Sequence, residues 1–283
     1  MEVITRTNLA EVFDELQNHP SANVLAGGTD FLVKWKDKRI DPLRVINIAE
    51  LNELKYIRVE DGRVLIGALV THQEVAESIH VRQYATVLAD ASSQVGSTQI
   101  RNRGTIGGNL VTASPAGDTI PALWVLNAAL VLKSADSERE VPVREFITGP
   151  GKTVLQPGEL VTAVSVPLAE VGEIGFYKKL GPRQALAISI VSMAVKMKLG
   201  AGSIERISIA CGSVGPTVVE LKETTQRLIG CQLNPKEIWQ RVAEAGNEAS
   251  PITDVRASRE YRQKMVGALL YEGLCDFCTP QDR

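Results

Sequence analysis

The run TQIRNRGTIGGNLVTASPAGD, from Thr98 to Asp118, constrains this chain more than any other stretch of it. It consists largely of small hydrogen-bonding residues around Gly107 and Gly108, and its second half is almost uncharged. It has the pattern of no catalytic triad, metal site or P-loop. A shorter run, LAGGTD from Leu25 to Asp30, sits between a predicted strand and a predicted helix. Glycines there permit positive φ and let backbone approach a ligand closely. The unpaired N–H groups of such a turn point at an anion. Neither run is G-x-G-x-x-G, and no lysine follows the glycines as in a P-loop. Taken alone, a glycine pair between strand and helix is also what a tight turn needs. Around the second pair, Thr105, Asn109, Thr112 and Ser114 supply neutral donors and acceptors. Two backbone-lined loops with little positive charge suit a dinucleotide better than a triphosphate, which recruits Lys or Mg²⁺. Of Arg101 and Arg103, at least one is expected in solvent, since alternate loop residues point opposite ways.

The rest of the chain allows such a site and excludes several others. The 283 residues are 44% apolar and 23% charged, with a net charge of -2, so no nucleic-acid footprint is expected. The N-terminal run lacks the pattern of a secretory leader, and no apolar run is long enough to span a bilayer, so the chain reads as cytoplasmic. Cys211, Cys231, Cys275 and Cys278 form no disulfide framework, and the single C-x-x-C at Cys275 is a weak metal signal. His19, His72 and His80 have no ligand spacing, and no histidine or acid–base pair is read near the glycine loops.

NLAEVFDELQNHP reads as a helix stopped at Pro20, and RVINI as a strand closing a β-α-β unit near Ile48. LKYIRVEDGRVLIGALV reads as a hairpin turning at EDG, and Thr71 to Glu74 as a capping box. A helix is predicted over 81–94, a helix leading into a strand over DTIPALWVLNAALVL, and a strand at ELVTAVSVP. From Glu173 three strands precede three helices, which suggests a separate α+β domain.

LAGGTD and QIRNRGTIGGNLVTASPAGDTIPAL together closely resemble the FAD-binding subunit of the molybdenum hydroxylases, which include xanthine, nicotinate, quinoline and carbon monoxide dehydrogenases. The likeness extends to FITGPGKTVLQPGELVTAVSVP, FYKKLGPRQALAISIVSMAV and RASREYR; TGPGKTVLQPGEL and RQALAIS look most like the xanthine dehydrogenase branch. The resemblance implies an α+β fold: two α/β subdomains clasping FAD, over 1–55 and 56–170, then a C-terminal domain of a three-stranded antiparallel sheet and helices over 171–283. It implies FAD contacts at Leu25, Ala26, Gly27, Gly28, Thr29, Asp30 and Phe31 in the first loop. In the second it points to Ile100, Gly104, Thr105, Gly108, Asn109, Thr112, Ser114 and Asp118. Val95, Gly96, Leu160, Val161 and Lys178 complete the set, with Lys179 as the alternative to Lys178. The Asp30 carboxylate is expected to turn from the ligand towards the helix N-terminus, and Asp118 also suits a helix N-cap. No cysteine precedes residue 211, so the extra iron–sulfur cluster that some members carry between the FAD subdomains is expected to be absent.

The implied role is electron transfer: FAD takes electrons from the [2Fe–2S] clusters of a small subunit and passes them to an acceptor such as NAD⁺, while a molybdopterin-binding large subunit hydroxylates the substrate. No catalytic residue and no metal ligand is assigned to this chain. A cytoplasmic dimer of heterotrimers is expected, with no nucleic acid and no membrane. The alternatives are a free-standing FAD oxidoreductase and a non-catalytic nucleotide-binding or assembly module.

Overall fold

The computed structural model describes residues 1–183 and 187–278. Gln184, Ala185 and Leu186, within the RQALAIS segment, lie outside the described residues, as do 279–283.

Three larger sheets and one small hairpin organise the chain. The first sheet is parallel, in the order β1 (Glu2–Thr5), β3 (Arg44–Asn47), β2 (Asn23–Leu25). The helix Leu9–Asn18 begins where the Asn8 side chain accepts from the Glu11 amide at 2.9 Å. Its spacing puts Val12, Phe13 and Leu16 on one face, packed with Ile46, Leu51 and Leu54. β1 was not predicted: it is a four-residue edge strand with Val3 half exposed, too short for a clear alternation.

The second sheet is antiparallel, in the order β4 (Ile57–Glu60), β5 (Arg63–Gly67), β10 (Leu160–Pro167), β6 (Ala129–Lys133), β7 (Glu138–Pro142). The short pair β8 (Ile147–Gly149) and β9 (Lys152–Thr153) lies between β7 and β10 in the chain. β10 is central and buried along nearly its whole length, which explains its continuous apolar run. β7, reading EREVP, was missed because an edge strand that faces solvent keeps its charges. The predicted helix over 81–94 is two helices, Ile79–Tyr84 and Thr86–Ser93. They are separated at Ala85, whose φ of -146° leaves the helical region, and Val81, Val87 and Leu88 then enter one core.

The third sheet is also antiparallel: β11 (Glu173–Leu180), β12 (Val191–Gly200), β13 (Ser203–Gly212) and the two-residue β14 (Val219–Glu220). The fourth strand is an addition to the three predicted. One face of this sheet packs on its own helices, including Pro235–Val242 and Arg259–Cys275. From the other face, Tyr177, Ala194 and Ala210 join the core of the second sheet. Successive residues of β11 therefore serve two cores, because strand side chains alternate. No helix among the described residues is long and apolar enough to cross a membrane.

Candidate cofactor site

β2 ends at Leu25, and the chain turns through Ala26–Asp30 into the helix Phe31–Lys36. Gly28 has φ +77°, a conformation that glycine adopts without steric cost. Among the described residues, the amides of Ala26, Gly27, Gly28, Thr29 and Asp30 donate no backbone hydrogen bond. Five consecutive unspent donors at such a turn are what an anion such as a pyrophosphate requires of a backbone nest. The Asp30 carboxylate makes no capping bond, contrary to its expected turn to the helix N-terminus. It pairs with Lys34 at 2.7 Å, one turn on, and accepts from Thr112 Oγ1 at 3.3 Å. Lys34 thus offsets the charge that would repel a bound anion.

The second loop behaves differently. Thr105 Oγ1 accepts from the Gly108 amide at 3.1 Å and caps the helix Ile106–Thr112. The amides of Ile106 and Gly107 donate to Val70 O and Ala68 O at 2.9 and 3.0 Å, and the His72 amide donates to Gly104 O at 3.0 Å. Of the amides from Gly104 to Asn109, only that of Thr105 is unspent among the described residues. The expectation that this loop grips a ligand through its amides is therefore revised. Its glycines allow close packing instead: a Cβ on Gly107 would stand 2.7 Å from Ala68 Cβ. The same holds between the loops, where a Cβ on Gly27 would stand 1.8 Å from the Arg103 carbonyl oxygen. The two loops meet main chain to main chain. Polar side chains remain nearby: Asn109 Oδ1 accepts from Thr119 Oγ1 at 2.7 Å, and Ser114 Oγ accepts from the Ala116 amide at 3.2 Å.

His72 was missed. Its ring lies beside Gly104, as does Thr29: a Cβ on Gly104 would lie 3.3 Å from both His72 Cδ2 and Thr29 Oγ1. Burial, and then the nearby Arg101 charge, push its pKa down to about 4, so the ring is neutral at neutral pH. Its Nδ1 has no partner among the described residues. The signal was the capping box, present at Thr71 and Glu74, which fixes the next residue as the first of a helix.

Asp118 is not the predicted side-chain cap. It is buried and accepts from Tyr177 Oη at 2.8 Å, Ser189 Oγ at 2.5 Å and Lys179 Nζ at 2.6 Å. Burial, and then the Asp118 carboxylate, push the Tyr177 hydroxyl well above its ordinary pKa, so it remains a donor. Lys179 Nζ also donates to Gln94 O at 2.7 Å, next to Val95 and to Gly96 with its φ of +45°. Lys178 points to the opposite face of β11, where Glu272 and Asp276 hold its ammonium at 3.0 and 2.8 Å. The lysine beside the loops is therefore Lys179. Leu160 and Val161 bury their side chains in two apolar cores rather than displaying them. Ile100 remains 38% exposed, near Gly96.

Residues 1–169 match the FAD binding domain in molybdopterin dehydrogenase, and residues 176–276 match the CO dehydrogenase flavoprotein C-terminal domain. The chain belongs to this flavoprotein family. The nicotinate dehydrogenase FAD-subunit of Eubacterium barkeri is 38% identical over 248 residues, covering 86% of this chain and 83% of that one. The xanthine dehydrogenase FAD-binding subunit of Escherichia coli is 28% identical over 260 residues, covering 91% and 89%. The solved carbon monoxide dehydrogenase of Hydrogenophaga pseudoflava superposes with a TM-score of 0.91 at 27% identity, over 97% of this chain and 96% of that one. As a member of the family, the chain is an oxidoreductase subunit whose cofactor is FAD. The unspent amides of the first loop, with Asp30 neutralised by Lys34, fit the charge of its pyrophosphate.

Proposed function

We propose that this chain carries electrons within a molybdenum hydroxylase and hydroxylates nothing by itself. When bound, FAD would supply the redox chemistry, taking electrons from the [2Fe–2S] clusters of a small partner and passing them to an acceptor such as NAD⁺. A molybdopterin-binding large subunit completes the complex, read here as a cytoplasmic dimer of heterotrimers. The proposed division of labour within the chain is 1–55 and 56–170 around the cofactor, with 171–283 closing over it.

The run of unspent amides from Ala26 to Asp30 carries this reading. These amides would hold the pyrophosphate, and the second loop would act as the wall that keeps the first in shape. Thr105, Asn109, Thr112 and Ser114 would contribute side-chain hydrogen bonds. Lys179 would set a positive charge beside the flavin, held between Gln94 O and Asp118. A fixed cation there favours electron uptake by the ring.

The test is the absorption spectrum of the purified full chain, with the released cofactor identified by mass, beside the same measurement on Gly27→Ala. Flavin bands and released FAD in the parent, with most of the flavin lost from a still-folded variant, are expected. A parent chain that stays colourless after addition of FAD overturns the reading.

A further inference from the structure

Arg262 is 1% exposed, in the first turn of the helix Arg259–Cys275. A buried guanidinium needs its charge met. Asp254 meets the charge, with Oδ1 2.7 Å from Nη2. Hydrogen bonds from Arg256 and Arg262 outweigh the cost of burying Asp254 and hold its carboxyl well below the ordinary carboxylate range. The other terminal nitrogen, Nη1, donates to two carbonyls remote in sequence, Ile190 O at 2.5 Å and Ser213 O at 3.0 Å, while Nε has no partner among the described residues.

Both carbonyls belong to struts that end at Asp118. Ile190 closes the end of β11 onto the start of β12 through the hydrogen bond its amide donates to Leu180 O at 2.8 Å. Its neighbour Ser189, fully buried, donates to Asp118 Oδ1. On the other side, the Ser213 amide donates to Pro115 O at 2.8 Å, three residues before Asp118. Ser213 holds φ +64°, a left-handed conformation that a non-glycine residue keeps only where its surroundings enforce it. Asp118 Oδ2 in turn binds Lys179 Nζ. The fork of Arg262 thus braces, from the far side of the third sheet, both segments that fix the Asp118 carboxylate.

We propose that Arg262 is a positioning residue for Lys179: by tying Ile190 O and Ser213 O together it holds Ser189 and the Pro115–Asp118 segment in register, and so fixes where the Lys179 ammonium sits at the cofactor. The proposal rests on the reading that Lys179 stands beside FAD. A lysine at 262 would keep the charge for Asp254 but lacks the planar fork that spans two carbonyls.

The experiment uses the full chain loaded with FAD and compares Lys179→Met, Arg262→Lys, Ser189→Ala and the two double variants that contain Lys179→Met. Readouts are the flavin midpoint potential, the positions of its absorption bands and the thermal midpoint. Lys179→Met is expected to move the potential to more negative values. Arg262→Lys and Ser189→Ala should each move it the same way by a part of that shift, and neither should add to Lys179→Met. A thermal midpoint lowered in Arg262→Lys with potential and bands unchanged would mean a merely structural arginine, and the proposal fails. If Arg262→Lys does not retain FAD, Ser189→Ala, which leaves the fork intact, decides alone. A Lys179→Met chain with unaltered potential sinks the reading of Lys179 itself, and the role of Arg262 with it.

Discussion

His72 shows how much of this site is set by burial rather than by residue type. Its folded pKa of about 4 lies below the ordinary 6.5, so from pH 6.5 downwards the unfolded chain takes up a proton that the folded ring refuses. Stability should therefore fall as pH drops from 6.5 to 4, by up to about 3 kcal/mol from this residue. His72→Gln, which cannot titrate, is expected to show a shallower loss than the parent in urea unfolding at pH 7 and pH 4.5; equal losses would contradict the assignment. At this scale the sequence was an incomplete guide. Gly27, Gly28 and the Thr71–Glu74 capping box were legible because turns and caps are local chemistry. The choice between Lys178 and Lys179 was not, since it depends on which face of β11 meets Asp118. Asp118 was legible as a polar residue opening a helix, while its three donors come from residues 59 to 71 positions away.

Elements with local punctuation were readable, and elements defined by their neighbours were not. The β4–β5 hairpin follows from Asp61–Gly62, both with positive φ, in a two-residue turn closed by the pair Glu60 and Arg63. Gly62→Ala meets no atom within 4 Å, so its cost is conformational alone, about 1 kcal/mol. Chemical denaturation of the loaded chain should register that loss with the flavin content unchanged; a loss of flavin would mean that the hairpin reaches the site. β7 and β1 escaped notice because edge strands show little alternation. The second glycine loop reads in the sequence as a backbone-lined concavity, and the structure revises only the part given to its amides. Its amides are spent on Ala68 and Val70, a pairing across more than thirty residues that local pattern does not reveal.

Across the whole molecule, the change of pattern at Glu173 marked the third sheet, but nothing in the chain announced that this sheet would be covered on both faces. Tyr177, Ala194 and Ala210 lie in one core, while Phe176, Val195 and Ile209 lie in another. The Asp118–Lys179 pair crosses the first of these boundaries with both side chains 7% exposed. Asp118→Asn would leave the lysine charge buried without its counter-charge, at a cost of about 3 kcal/mol. Urea unfolding of the full chain should show that loss together with weaker retention of FAD. An unchanged midpoint would mean that the pair does not tie β11 to the start of the helix Thr119–Val125. The two-sided sheet also bears on how the protein is made. A ribosome completes both glycine loops before it reaches Lys179, so a nascent chain can already present the amides from Ala26 to Asp30 while the face later covered by Tyr177, Ala194 and Ala210 is still bare. The arrival of β11 is then the step that buries that face.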